Sequence, residues 1–554
     1  MKKIISILLI TMLFTLSLAG CSKSDDNEKS VSNDNAANDT AKKDNADNKG
    51  KATDDAQKDE LVIAWASDLD NFGPLTSEDG YSHEILGLVY ESLLKYDGKK
   101  AVPNLAESYE ATPDGKEYTF KLREDVKFSD GLPLNAEAVK QNMDGILLNA
   151  DRFSWMGAIG KLDKVEVVDD YTIKFVYKEP YYAATLDMCS QFPIRMISPN
   201  SMPDDGNTAG ILKSSVGTGP YVLTEAIKDQ QYVFTVNENY WGDKPAYKKV
   251  IVKVIPDHDS RVMALQSGDV DLIYGAKQLS YEAYAQFTDN KKIGTACSES
   301  ESETRSILMN TANEVLKDMD VRKAILCGVN KKVIIGTVLL DIENKADTIL
   351  NPSLTYCDVE VEPYEYNKEE ACKILDEAGW TLPEGKTIRE KDGNKLSLNL
   401  MYVTGRGAEE SIAQVFASQM KEIGIDVKLD GVELMVWGSR GFEGDFDLSF
   451  NATYAAPYDP HTYIGGMMSY SLDNPAQQGL DNKKDLDEKI LKLFSINDEK
   501  EIKNCYDSIL KQLHESAMYI PISYQKQIAL YNKDVISTVE FPSIPGQLDM
   551  MLIK

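Results

Sequence analysis

Residues 396–429 read LSLNLMYVTGRGAEESIAQVFASQMKEIGIDVKL, and three patterns follow one another inside that stretch. Leu396, Leu398 and Leu400 alternate with other residues, the period of a half-buried strand. Ile412, Val415, Phe416 and Met420 then recur at helical spacing, Gly424 stops the helix, and Ile425, Val427 and Leu429 alternate again. Strand, helix, strand is the unit from which helix-covered parallel sheets are built. The same pattern language recurs towards the N-terminus. Leu61, Ile63 and Trp65 alternate, as do Tyr118, Phe120 and Leu122. Asn135 is placed to cap a helix whose apolar stripe is Val139, Met143, Ile146 and Leu147. Strands and helices are therefore mixed along the chain, which predicts α/β architecture, and no repeat of fixed period is visible.

The chain has 554 residues, of which 42% are hydrophobic, enough for two or three packed units at about 100–200 residues each. Its formal charge of −29 sets it against nucleic acid and anionic headgroups, which it would repel. Of seven cysteines, six (Cys189, Cys297, Cys327, Cys357, Cys372 and Cys505) are scattered without a C-x-x-C pair, so neither a disulfide framework nor a zinc knot is implied. Buried thiols are expected instead. No convincing nucleophile elbow, metalloprotease helix or cysteine nucleophile is present, which argues against an enzyme.

The seventh cysteine lies in a different context. Met1-Lys2-Lys3 is basic, Ile4 to Leu18 is an almost unbroken apolar run, and Leu18-Ala19-Gly20-Cys21 closes it. The run is the length of a signal-peptide core and short for a membrane span. Small residues before a cysteine at that place resemble the bacterial lipobox. The resemblance implies a leader at 1–20 and a diacylated Cys21 that anchors the mature chain to the outer face of the cell membrane, as two acyl chains do stably. Residues 21–59 carry no aromatic residue and read as a disordered tether.

Three passages resemble the bacterial extracellular solute-binding proteins of family 5, the peptide/nickel class. The first runs from Pro103-Asn104-Leu105-Ala106-Glu107-Ser108-Tyr109 through Asp114-Gly115 to Val126-Lys127-Phe128-Ser129-Asp130-Gly131. The second is Gly217-Thr218-Gly219-Pro220-Tyr221 with Asn237-Glu238-Asn239-Tyr240-Trp241-Gly242, and the third is Ala264 to Asp271. The likeness covers nearly all of 60–554. It implies a type II periplasmic-binding-protein fold: lobe I at 60–302 plus 526–554, lobe II at 303–525, a hinge between them and a ligand cleft. It further implies a monomer serving an ABC permease with separate ATPase subunits. In this family Gly217-Thr218-Gly219-Pro220 is a structural turn, and no Gly-Lys-Ser/Thr follows that would make it a phosphate loop.

Within that family the stretches Arg152-Phe153-Ser154-Trp155, Ala378-Gly379-Trp380-Thr381-Leu382-Pro383, Ala456-Pro457-Tyr458-Asp459-Pro460-His461 and Ala476-Gln477-Gln478-Gly479-Leu480 are most similar to the nickel-binding branch. That likeness implies cargo of Ni2+ inside a small chelator such as a histidine complex, with no catalytic cofactor. The chain has only four histidines and no H-x-x-H cluster, so a chelator would have to bring most donor atoms. By the resemblance Arg152 takes the chelator's carboxylates, Trp155, Tyr454 and Tyr458 wall the cleft, and His83 is the candidate metal ligand, in a loop before a helix. On a helix Arg152 and Trp155 would share one side. His461 is a structural residue more than a ligand, and His258 and His514 are structural or exposed. Phe192 stands where many nickel-binding relatives have a second cleft arginine. Arg195 matches a neighbouring arginine, and Arg406, in a Gly-Arg-Gly loop, is a candidate replacement for the lost charge. Cobalt or another metallophore-bound ion, or an oligopeptide, are the alternative cargoes.

Overall fold

A computed structural model describes residues 59–69, 71–76, 80–469 and 471–554. The expected leader, Cys21 and the tether up to residue 58 lie outside the described residues, as do Asp79 and Tyr470. Asp59, the last residue of that tether, already accepts the Lys248 N–H at 2.8 Å.

The strand Glu60–Trp65 sits deep in an eleven-stranded mixed sheet, between parallel neighbours Lys249–Val254 and Leu272–Tyr274. Its alternation is real, but both faces are covered. Leu61, Ile63 and Trp65 enter one hydrophobic core, and Val62 and Ala64 enter a second on the opposite face. A central strand flanked on both faces has no solvent side, so the expected half-burial becomes full burial.

Two long strands run through the middle of the sheet. Ile293–Met309, 17 residues, pairs antiparallel with Tyr519–Asn532, 14 residues. One end of this ladder joins Leu272–Tyr274; the other joins Leu448–Ala452 and, through it, Ser397–Val403 and Asp426–Val432. Its register shifts between Cys297 and Glu301, between Glu301 and Thr304, and between Arg305 and Ser306. Such irregularities bend a ladder and raise its twist. The sheet thus has two halves carried on one pair of strands, the two-lobed α/β fold.

The opening stretch folds as its pattern requires. Ser397–Val403 and Asp426–Val432 are parallel, with Leu398 opposite Val427 and Leu400 opposite Leu429. The helix Gly407–Glu422 between them buries Ile412, Phe416 and Met420. Gly424 follows at φ 87, left-handed, where a Cβ would stand 2.7 Å from Arg389 Cγ. Asp426–Val432 is the sheet edge, so Leu429 remains exposed despite its alternation.

A separate four-stranded antiparallel sheet orders as Ala106–Ala111, Glu117–Leu122, Thr172–Tyr177, Leu162–Asp169. Helix Ala136–Leu147 covers it, and Asn135 Oδ1 accepts the Ala138 N–H at 2.9 Å as its N-cap. The Gly217–Pro220 strip packs backbone against backbone. Gly219 N–H donates to Val89 O at 2.9 Å, and a Cβ on Gly219 would stand 2.7 Å from Leu88 O. The six described cysteines are free thiols; Cys189, Cys357 and Cys505 are buried, whereas Cys297 is exposed. Among the described residues no helix is long and apolar enough to cross a membrane.

Candidate functional site

Rings from three other parts of the chain gather at Phe192. The His83 imidazole lies 4.4 Å from it between centroids, Phe153 meets it edge-on at 5.5 Å, and the Trp155 indole stacks at 6.2 Å and 20°. Trp155 also faces Tyr458 at 6.3 Å. The Tyr458 hydroxyl donates to Phe192 O at 3.1 Å and lies 2.9 Å from Ser190 Oγ. Burial pushes its phenol above the ordinary tyrosine range, so it works as a neutral hydrogen-bonding group. Trp155, Phe192 and Tyr458 are only partly buried, and all three edge the hydrophobic core.

Local backbone explains how these side chains arrive. His83 lies within the helix Gly80–Leu86, not in the loop expected for it, and is 8% exposed. The helix carrying Arg152 is only Ala150–Phe153. Ser154 is its C-cap, and Met156 is extended (φ −87, ψ 119) before the next helix, Gly157–Gly160. Trp155 lies beyond the end of the helix that carries Arg152, so the two residues are not on one continuous helix. Trp155 turns inward, while Arg152 stays exposed at the rim with its guanidinium carbon 5.2 Å from the Phe153 ring centroid.

Tyr458 and Tyr454 flank a tight turn held by Asp459. The buried Asp459 carboxylate accepts the N–H groups of Tyr454 at 3.1 Å and Ala455 at 2.9 Å, with Ala455 at φ 64. Burial pushes the Asp459 carboxyl up to about 6, against hydrogen bonds that pull it down. The two tyrosines then diverge. Tyr454 packs edge-on against Tyr463 at 5.3 Å and is 38% exposed. It does not stack with the Trp155–Phe192 group.

Below the rings lies a polar contact. His461 Nε2 donates to Asp187 Oδ1 at 2.8 Å, with side chains 1% and 0% exposed. Asp187 Oδ2 accepts the Ala158 N–H and the Tyr181 hydroxyl, each at 2.8 Å. His461 is thus spent on a carboxylate.

The other candidates are placed apart from the rings. Arg195 is 2% exposed, and its Nη1 donates to His83 O at 3.0 Å, so it braces the helix behind the imidazole. Burial lowers its guanidinium from the ordinary arginine range to about 10. Arg406 pairs with Glu409 at 3.1 Å at the start of helix Gly407–Glu422 and does not join the rings. Its expected role as replacement charge in the cleft has no support in this placement, because a carboxylate three residues on already holds it. His258 Nε2 accepts the Ser280 N–H at 2.8 Å, and His514 Nε2 donates to Glu362 O at 2.8 Å. Among the described residues no three His, Cys, Asp or Glu side chains form a group able to hold a metal ion. What the site offers is an aromatic enclosure with one imidazole and a cationic rim.

Phe192, the hub, was visible in the sequence only as a missing arginine. Asp187 gave no signal, since its partners are set by tertiary contacts; the pair Asp187–His461 is separated by 274 positions.

Residues 100–474 match the model of the bacterial extracellular solute-binding proteins, family 5 (middle). The chain is 36% identical over 504 residues to the nickel-binding periplasmic protein of Escherichia coli K12, covering 90% of this chain and 95% of that protein. It is 30% identical over 440 residues to the oligopeptide-binding protein AppA of Bacillus subtilis, covering 78% and 77%. Among solved structures, NikA from Brucella suis in complex with Fe(III)-EDTA superposes with a TM-score of 0.86 at 35% identity, covering 89% of this chain and 99% of that one. The two halves on a shared ladder, the ring-lined site and these likenesses agree: the chain belongs to the bacterial extracellular solute-binding proteins of family 5.

Proposed function

We propose that this chain is the capture subunit of an ABC importer and that its cargo is Ni2+ enclosed in a small organic chelator. The observation that carries this is the ring group around Phe192. Trp155, Phe192 and Tyr458 offer flat apolar walls, His83 offers one imidazole, and the described residues of the site lack the donors a naked ion would need. A chelator supplies those donors. Arg152 at the rim presents the planar fork suited to a chelator's carboxylate. The similarity to a nickel-binding periplasmic protein and to a structure holding Fe(III)-EDTA supports a metal chelate over a peptide.

The lobes would be 60–302 with 526–554, and 303–525, hinged where the central ladder changes register. The closed form would keep Tyr458 of lobe II against Trp155 and Phe192 of lobe I and present a joint surface to a permease, with ATP hydrolysed by separate subunits. Cys21 would carry the lipid anchor, residues 21–59 would give reach, and the protein would act as a monomer at the extracytoplasmic face of the cell membrane.

The test is calorimetric titration of dialysed protein with nickel, with and without free histidine. Saturable heat near one equivalent is expected when histidine is present, and little without it. Equal heat in both titrations, or none in either, overturns chelate capture.

A further inference from the structure

A cavity of about 350 Å³ lies behind the helix that carries His83, and none of the ring-group side chains lines it. Its polar wall is Arg195, Gln191 and Glu91; its apolar wall comes from the C-terminal segment, with Phe541, Ile544 and Met551. That volume lies within the range of sites for small organic ligands.

The polar groups facing it are poorly served by the protein. Gln191 is 9% exposed, and its Nε2 has no hydrogen-bond partner among the described residues. Arg195 is 2% exposed and carries a five-donor fork, yet the bond from Nη1 to His83 O is the one hydrogen bond the described residues give it. Its Nη2 lies beside Gly87, on the cavity wall, 3.3 Å from where a Cβ would stand. Glu91, the buried carboxylate of the same wall, turns Oε2 to the Trp241 indole N–H at 3.0 Å. Lys95 and Asp549 complete the charged lining, and Asp549 Oδ1 is occupied by the Met551 N–H at 2.9 Å. A guanidinium with donors left open to the cavity, beside an amide with an unused N–H, is an arrangement that an acceptor completes. The acceptor that matches both at once is a planar carboxylate.

We propose that this cavity is a second ligand site, which takes the carboxylate head of a small organic acid on Arg195 and Gln191 and its apolar tail against Phe541, Ile544 and Met551. A free amino acid shares that chemistry, and its ammonium group would face Glu91. Nothing in this depends on which cargo the rings enclose.

Hexanoate, L-norleucine and hexanamide make a matched set of probes for calorimetry on the full chain. Saturable heat from hexanoate or norleucine but not from hexanamide is expected. The stronger of the two acids identifies the source as a simple acid or an amino acid. Arg195→Lys should weaken that binding by about tenfold or more. Gln191→Met, which removes the N–H donor and keeps the side-chain length, should weaken it several-fold and serves even if the lysine variant fails to fold. No saturable heat from either acid, or hexanamide binding as well as hexanoate, overturns the site. So does loss of acid binding in Arg152→Gln with full binding in Gln191→Met, which would put the acid at the rings.

Discussion

Two contacts tie the early part of the chain to the late part, and they are made differently. Asp187 and His461 meet with side chains 0% and 1% exposed, and the carboxylate also takes the Ala158 N–H and the Tyr181 hydroxyl. A few ångströms of protein away, Tyr458 reaches Ser190 and Phe192, but the rings around it are only partly buried. The first contact is closed: both side chains are buried, and the carboxylate takes three donors. The second is an apolar surface that still has faces to offer. In one molecule the fixed joint is polar and the proposed binding surface is aromatic. Buried polar groups cost most when a partner is lost, whereas rings can exchange one flat neighbour for another at small cost.

The widest break between the two contacts should come from Asp187→Ala. It strands three buried donors, and urea unfolding should show a loss on the order of 4 kcal/mol. A loss below about 1 kcal/mol would mean the joint is not fixed. Next is the pH response of Asp459. Its carboxyl lies at about 6 in the fold against 3.8 unperturbed, so the folded protein holds the extra proton between those values. Stability should fall as pH rises from about 4 to about 7, by at most about 3 kcal/mol from this group. Asp459→Asn should flatten that leg in urea titrations run at each pH, and an unchanged slope would assign it elsewhere. Trp155→Ala should weaken chelate binding by about 30-fold, equivalent to ~2 kcal/mol, while moving stability far less than Asp187→Ala does. Smallest is Tyr458→Phe, which keeps the ring and loses the hydroxyl contacts; binding should weaken about fivefold, ~1 kcal/mol. If the phenylalanine variant binds as badly as Trp155→Ala, the hydroxyl and not the ring is what matters there.

Much of the architecture was legible because it is periodic. Residues 396–429 carry their strand, helix and strand in local spacing, and Asn135 announces its helix by type and place. Where local pattern met tertiary surroundings, it was overruled. The Glu60–Trp65 strand lost its solvent face to a second core, Leu429 lost its cover at a sheet edge, and the helix that carries Arg152 ended before Trp155. The site was legible in its aromatic members and not in its supports. Trp155, Tyr458 and His83 lie in recognisable motifs, but Asp187 has meaning only through a histidine 274 positions away. Arg195 shows the same limit, since no local pattern distinguishes an arginine in a cleft from one that braces the helix behind it.

The place of Tyr519–Asn532 in the sheet has a consequence for how the chain comes to be folded. This strand is among the last elements made, yet it stands between Leu272–Tyr274 and Ile293–Met309, near the middle of the sheet. A chain emerging from its N-terminus can assemble each half from its own neighbours but cannot join the Glu60–Trp65 side of the sheet to the Ile293–Met309 side until nearly every residue is available. Such long-range pairing is slow and leaves strand edges uncovered meanwhile. A nonsense change just before Tyr519 would thus cost far more than the few dozen residues it removes, because it takes out the slat that makes two panels one.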